Sequence, residues 1–229
     1  MLKIDLSKGE RKEVEEEVAE DRPIRLFLNG KPLLTLYATP SHLRELALGY
    51  LLGEGFLRGR EEVEGVWEEG TEVHVRLKAL HPPDPNLLGV RRKEKRFKAS
   101  IVSKAMALLH SSTELFRKTG GTHAAALFTE EGRMEVCMED VGRYNAVDKV
   151  LGWGMERGVD FGGCFLGFTG RVQEGVVAKC LRAGLPLLAS LSAPLASGIR
   201  LAEEGGLTLV GFARGSRLNV YTHPERLEL

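Results

Sequence analysis

Three short segments of this sequence set an arginine beside a glycine directly after an apolar run. Glu139-Asp140-Val141-Gly142-Arg143 follows MEVCM, Thr169-Gly170-Arg171 follows CFLGF, and Ala213-Arg214-Gly215-Ser216-Arg217 follows LTLVGF. Glycine lets backbone N–H groups approach a ligand closely, and a guanidinium offers a fork of donors that fits a carboxylate or phosphate, so each pairing suits an anion. The last segment, two arginines around Gly-Ser, is the best phosphate cradle of the three, and Gly170 with Arg171 would add a helix N-terminus. None matches a Walker A or G-x-G-x-x-G pattern. One such arginine alone reads as a solvated surface residue, whereas three at the same end of one sheet read as a ligand site. Asp140 has two readings, as an orienter of Arg143 or a contact for a ligand hydroxyl, and as the N-cap of the next helix.

His123, in GGTHAAALF, follows Gly120-Gly121 and precedes small apolar residues, so its ring emerges where backbones approach closely. It reads equally as a proton-transfer or ligand-contact group and as a strand-end histidine satisfied by one hydrogen bond. A zinc deaminase needs a glutamate two residues after the histidine and a later Pro-Cys-x-x-Cys pair. Ala125 stands at that position and the chain has no Cys-x-x-Cys, which argues against zinc-activated deamination. Cys137, Cys164 and Cys180 are widely spaced and odd in number, so they read as small buried hydrophobes rather than a disulfide framework or a closed zinc site. Ser103, Ser192 and Ser197 lack the surroundings of a nucleophile elbow.

Any anion site must be local, because 32 basic residues balance 32 acidic ones and leave no global field to attract nucleic acid or an anionic membrane. The apolar share of 43% is that of an ordinary folded chain, and 229 residues suffice for one large domain or for a small one joined to a medium one. The charged start lacks the apolar core of a signal peptide, and no stretch approaches the 18 or so apolar residues of a membrane span, so a cytoplasmic location is expected.

The elements that would position these residues fall into two blocks behind a charged arm at residues 1–22. IRLFLNGKPLLTLYAT predicts a hairpin around Asn29-Gly30. Thr39 then reads as an N-cap, with Pro40 opening a helix over about 40–52. TEVHVRLKA alternates Val73, Val75 and Leu77 as a half-buried strand does, and HPPDP closes this small α+β block near residue 90. The basic run RRKEKRFK over 91–98 bridges to a second block, 91–229, which opens with a helix around Ile101, Ala105 and Leu109. There apolar runs alternate with helices over 144–156, 172–183 and 195–204, an order that predicts a largely parallel sheet covered by helices. Gly158 and Gly184 stand where helices need a left-handed terminal residue. In such a sheet, ligands bind beyond the carboxyl ends of the strands, where the three arginine segments lie.

Taken together, ATPSHLRELALGYLLGEGFL, TGGTHAAALF, MEDVGRYNAVDKVLG and LTLVGFARGSRLNVYTHPERL closely resemble the FdhD family of formate dehydrogenase accessory proteins, from about residue 22 to the end. The resemblance implies an α/β fold in which 91–229 forms a cytidine-deaminase-like three-layer domain without zinc, beside a smaller N-terminal α+β subdomain over 23–90, usually as a homodimer. It implies binding of the bis-molybdopterin guanine dinucleotide form of the molybdenum cofactor, with the family's contact motif falling on Ala213 to Leu218, that is Ala213, Arg214, Gly215, Ser216, Arg217 and Leu218. It also implies passage of sulfur from a cysteine desulfurase to the cofactor of formate dehydrogenase. That ligand is a polyanion, as Arg143, Arg171 and Arg214 would require.

One departure bears on the sulfur step. The family carries a Cys-x-x-Cys between its two parts for the persulfide, and the matching VRRKEKRFKASIVSKA has no cysteine. This leaves two readings: a sulfurtransferase that uses another cysteine, and a cofactor-binding chaperone that carries no sulfur itself. A general nucleotide-binding protein is a third.

Overall fold

The structure, a computed structural model, describes residues 1–80 and 95–229. The charged start is not irregular: β1 (Leu2–Asp5) and β2 (Glu10–Glu13) form a hairpin, and the terminal ammonium donates to the Val14 carbonyl. Leu2, Ile4 and Leu6 stay exposed, so this hairpin adds nothing to the core.

Asn29 and Gly30, at φ 48° and 78°, turn β3 (Arg22–Leu28) into β4 (Lys31–Ala38), the consecutive left-handed pair that a type I′ turn needs. The next helix, α1 (Leu43–Gly53), corrects the predicted start at Pro40. It begins behind His42, itself left-handed at φ 53° and without a side-chain cap. Thr39 is taken up elsewhere, by residues about a hundred positions away. Its hydroxyl accepts from the Val141 amide, its amide donates to Asp140, and its carbonyl accepts from Lys149. β5 (Val63–Glu69), which had no clear sequence signal, and β6 (Glu72–Leu77) complete a four-stranded sheet in the order β4-β3-β6-β5. Val73, Val75 and Leu77 face inward as their alternation predicts.

HPPDP, the block boundary near residue 90, and the first four residues of the basic run lie outside the described residues. The rest of that run is tied down: Lys95 pairs with Glu130, Arg96 with Glu228, and β7 (Phe97–Lys98) enters the second block. The block continues with α2 (Ala99–Ser111), the unpredicted α3 (Glu114–Thr119), β8 (His123–Thr129), β9 (Met134–Asp140) and α4 (Arg143–Glu156). Then come β10 (Cys164–Phe168), α5 (Glu174–Ala183), β11 (Leu187–Ser190), α6 (Ala196–Glu204), β12 (Thr208–Arg214), β13 (Arg217–Thr222) and β14 (Leu227–Glu228), which pairs with β7.

Six strands form one sheet in the order β13-β12-β11-β10-β8-β9. It is mixed rather than largely parallel: β10-β11-β12 are parallel, and every other pairing is antiparallel. The cause is two tight hairpins, β8–β9 through left-handed Gly132 and β12–β13 through Gly215, because connections that short can join only antiparallel strands.

Both faces of this sheet are covered, as side-chain alternation in β10 shows. Phe165 points to α2, joining Phe97, Met106 and Phe128, while Leu166 and Phe168 point to α4 and α5. Each such fully buried side chain contributes about 1.5–3 kcal/mol of apolar transfer. The cluster on the α4 and α5 side also takes in Ile24, Leu26 and Val75, so one continuous core joins the four-stranded sheet to the larger one.

The joint is α4, buried nearly all round. Gly49 of α1 and Gly152 of α4 let the two backbones touch: a Cβ on Gly49 would lie 1.7 Å from the Asp148 carbonyl oxygen, and one on Gly152 2.0 Å from that of Glu45. Lys179 of α5 closes the same junction, 2.8 Å from both Asp148 and Glu54. Among the described residues no helix is long and apolar enough to cross a membrane.

Candidate functional site

The strands β9, β10, β11 and β12 all run the same way, because the two antiparallel steps at β8 cancel. Their carboxyl ends, and the start of the reversed strands β8 and β13, therefore share one edge of the sheet. His123, Arg143, Arg171, Arg214 and Arg217 all belong to that edge. α2 and α3 overhang it and enclose a cavity of about 630 Å³.

The walls are Met106, Ala107 and His110 from α2, Thr113 and Phe116 at α3, Thr122, His123 and Ala124 at the start of β8, Thr169 and Leu191 after β10 and β11, and Ala213, Arg214 and Gly215. The volume lies within the range usual for small-molecule sites, and a mainly apolar lining with a few polar groups is the usual composition. Among the described residues, the lining contains no carboxylate and no thiol. The polar groups it does contain are the imidazoles of His110 and His123, the hydroxyls of Thr113, Thr122 and Thr169, and the Arg214 guanidinium.

Of the residues chosen from sequence, His123, Ala213, Arg214 and Gly215 line the cavity. The segment read as a phosphate cradle is a hairpin turn: Gly215 is left-handed at φ 57°, and Arg214 and Arg217 face each other across β12 and β13. Ser216, Arg217 and Leu218 lie beyond the cavity. Phe212, left-handed at φ 49°, sits where the β12–β13 register slips, and its amide donates to the Ser192 carbonyl. This strained bulge re-aims the two residues after it. Arg214 then donates through Nε to the Leu191 carbonyl at 2.8 Å, and Ser103 fixes the turn by donating to the Gly215 carbonyl.

Arg143 starts α4 with its guanidinium 4.8 Å from the centre of the Tyr144 ring. It donates to Gln173 Oε1 at 2.5 Å, an oxygen that also accepts from the Tyr144 hydroxyl at 2.7 Å. Its Nε is buried without a hydrogen-bond partner among the described residues. Arg171 is exposed and makes no ion pair among them. Burial holds the His123 imidazole below its usual pKa, and the charges of Arg143 and Arg171 push it the same way.

Two expectations need correction. Gly170 and Arg171 do not open a helix, since α5 begins behind Gln173. Gly170 is a packing glycine whose carbonyl accepts from Ser190, and a Cβ there would lie 2.6 Å from the Phe168 ring. Asp140 neither orients Arg143 nor reaches the cavity. Fully buried, it pairs with Lys149 at 2.6 Å and accepts from the amides of Thr39 and Gly142 and from Asn145. Glu139 is committed too, capping α3 by accepting from the Leu115 and Phe116 amides.

The cysteines lie apart from the cavity. Burial pushes the thiols of Cys137 and Cys164 up to about 11, and Cys180 is buried as well. The one group of metal-ligating side chains among the described residues, Glu69, Glu72 and His74, lies on the other sheet. There Glu72 pairs with Arg25, and His74 is stacked between Phe27 and Trp67.

Sequence reasoning missed Met106, His110, Thr113, Phe116 and Leu191. They come from separate elements, and no local pattern marks them. Thr122 and Thr169 lie within segments it did select, GGTHAAALF and Thr169-Gly170-Arg171.

Fold and site together define a mixed α/β protein with a largely apolar cavity at a basic sheet edge. The chain belongs to the FdhD/NarQ family, whose sequence profile matches residues 19–87 and 84–228. It is 35% identical to the sulfur carrier protein FdhD of Sulfolobus acidocaldarius, over 99% of this chain and 98% of that one. With the sulfur carrier protein FdhD of Methanothermobacter thermautotrophicus it shares 36% identity, over 95% and 94%. A crystal structure from Desulfotalea psychrophila, provisionally described as a formate dehydrogenase accessory protein, superposes with a TM-score of 0.90 at 30% identity, covering 100% of this chain and 97% of that one.

Proposed function

We propose that this protein serves formate dehydrogenase maturation by holding a nucleotide portion of the molybdenum cofactor, its client cargo, in the cavity beside Arg214. The observation that carries this reading is a largely apolar cavity of about 630 Å³ whose wall includes an anchored guanidinium at a basic sheet edge. The volume suits one nucleotide-sized group, so the remainder of a bis-molybdopterin guanine dinucleotide would extend outside. Apolar walls from Met106, Phe116 and Leu191 would pack a base, and Arg214 would meet an anionic oxygen. A six-stranded sheet between α2 and the α4–α5 pair, with a cavity at its edge, also supports the cytidine-deaminase-like reading of the larger part.

Calorimetric titration with GDP tests the reading. Arg214→Ala should weaken binding by about 1–3 kcal/mol, the scale of a lost charge-assisted hydrogen bond, or roughly 5- to 150-fold. Unchanged affinity would refute it. Arg217, across the hairpin, is the control and should change affinity little.

The name given to the relatives favours a second reading, sulfur carriage on a cysteine of this chain. The burial of Cys164 and Cys180 and the raised thiols of Cys137 and Cys164 speak against it, since the thiolate is the nucleophile. Incubation with a cysteine desulfurase and cysteine, followed by mass spectrometry, should show no added sulfur. A persulfide on any of the three would favour carriage.

A further inference from the structure

We propose that Arg143, Arg171 and His123 form a second anion subsite, beside the cavity, which takes the terminal phosphoryl group of a nucleoside diphosphate seated in it. The proposal rests on the cavity reading for the head of the ligand, but its own support is separate. β9, β8 and β10 are consecutive in the sheet, and each delivers one basic group at the same edge. His123 pairs in register with Asp140, which places Arg143 just past the end of that ladder. On the other side Ala125 pairs with Phe168, and the Thr169 amide donates to the Ala124 carbonyl, so Arg171 follows just beyond.

These groups have no counter-ion among the described residues. Asp140 is saturated by Lys149 and three N–H donors, and Glu139 by the start of α3. Arg143 is held by neutral partners alone, the Gln173 amide oxygen and the Tyr144 ring, which fix its orientation without cancelling its charge. Its Nε is a buried donor without a hydrogen-bond partner among the described residues. α4 adds the partial positive charge of a helix start, with Gly142 at its N-cap and no side chain capping it. A cluster of like charges with a desolvated spare donor costs free energy in the empty protein, and a bound oxyanion relieves it.

His123 belongs to both places: it lines the cavity, and it feels the charges of both arginines. A ligand with its head in the cavity passes His123 before its anionic end meets Arg143 and Arg171. The subsite therefore discriminates by the length of the anionic tail, favouring a diphosphate over a monophosphate.

The experiment compares GDP, GMP and inorganic pyrophosphate by calorimetry at fixed low ionic strength, on wild type, Arg171→Ala and Arg214→Ala. Arg171 is exposed and makes no ion pair among the described residues, so its removal should leave the fold intact. Wild type should bind GDP at least tenfold more tightly than GMP, and Arg171→Ala should reduce that ratio below threefold. A GDP-to-GMP ratio unchanged in Arg171→Ala overturns the subsite, while a loss in Arg214→Ala alone leaves the cavity reading standing. Binding of pyrophosphate that depends on Arg171, with no nucleotide binding, supports a free-oxyanion subsite and overturns the cavity reading. If none of the three binds, both are overturned.

Discussion

Replacing Asp140 with asparagine should destabilise the protein by about 3–5 kcal/mol at pH 7, the range for breaking a buried ion pair from one side. Asp140 and Lys149 are both fully buried and 2.6 Å apart. At an effective dielectric constant near 20, a contact of that length offsets desolvation by about 6 kcal/mol of Coulomb attraction. Asparagine abolishes this attraction, and its NH2 group must face one of the three N–H donors that the carboxylate now accepts. Burial already holds the Lys149 ammonium below its ordinary pKa, with Asp140 the main opposing influence. Without Asp140 the lysine sheds its proton on folding. Losing a proton from an unfolded-state pKa near 10.4 costs about 4.6 kcal/mol at pH 7, which sets a ceiling on this part of the loss. The variant's unfolded state then binds one more proton than its folded state, so its stability rises with pH and the deficit shrinks by about 1.4 kcal/mol per unit from pH 7 to 9. Urea unfolding followed by tryptophan fluorescence at pH 7, 8 and 9 measures this. A loss under 1 kcal/mol, or a deficit that stays flat with pH, refutes the reasoning. Adding Lys149→Met should restore part of the stability.

Gly152→Ala should cost more than about 3 kcal/mol, because its Cβ would lie 2.0 Å from a backbone oxygen of α1 and only a shift of the whole helix relieves that. Gly158→Ala, with nothing near its Cβ but a φ of 66°, should cost only about 1 kcal/mol, and thermal melts of the two separate packing from backbone strain. Ellman's reagent at pH 7.5 should label Cys164 and Cys180 only after unfolding, and fast reaction of either in the native protein would contradict their burial.

Local chemistry made much of the fold legible. Asn29-Gly30, the alternation through Val73 to Leu77, and the helix ends at Gly158 and Gly184 each carry their cause within a few residues. Strand direction did not, because an apolar run reads the same either way, and only the Gly132 and Gly215 turns reveal that β8 and β13 are reversed. The start of α1 was misplaced because Thr39 is engaged by Val141, Asp140 and Lys149, partners that no local window contains. The arginine segments were legible from their place directly after an apolar run, a rule that depends on strand ends. The reversed strands keep those ends on one edge. The cavity walls were not legible, since α2 and α3 supply them from outside the sheet. Asp140 looked like a site residue for the reason that it is not one: a carboxylate after a strand is equally suited to tying down the turn.

The glycine contact between α1 and α4 also bears on how the chain emerges during synthesis. The face that α1 buries is completed by α4 and then by α5 as far as Arg182, about 100 to 130 positions later, so the first third of the chain can pair its own hairpins well before its core can close. Such long-range closure slows folding and leaves apolar surface open in the interval. A fragment ending near residue 80 would keep that surface open permanently, and the N-terminal part is better regarded as a late-locking wall of the larger unit than as a module that evolution could lend to another protein.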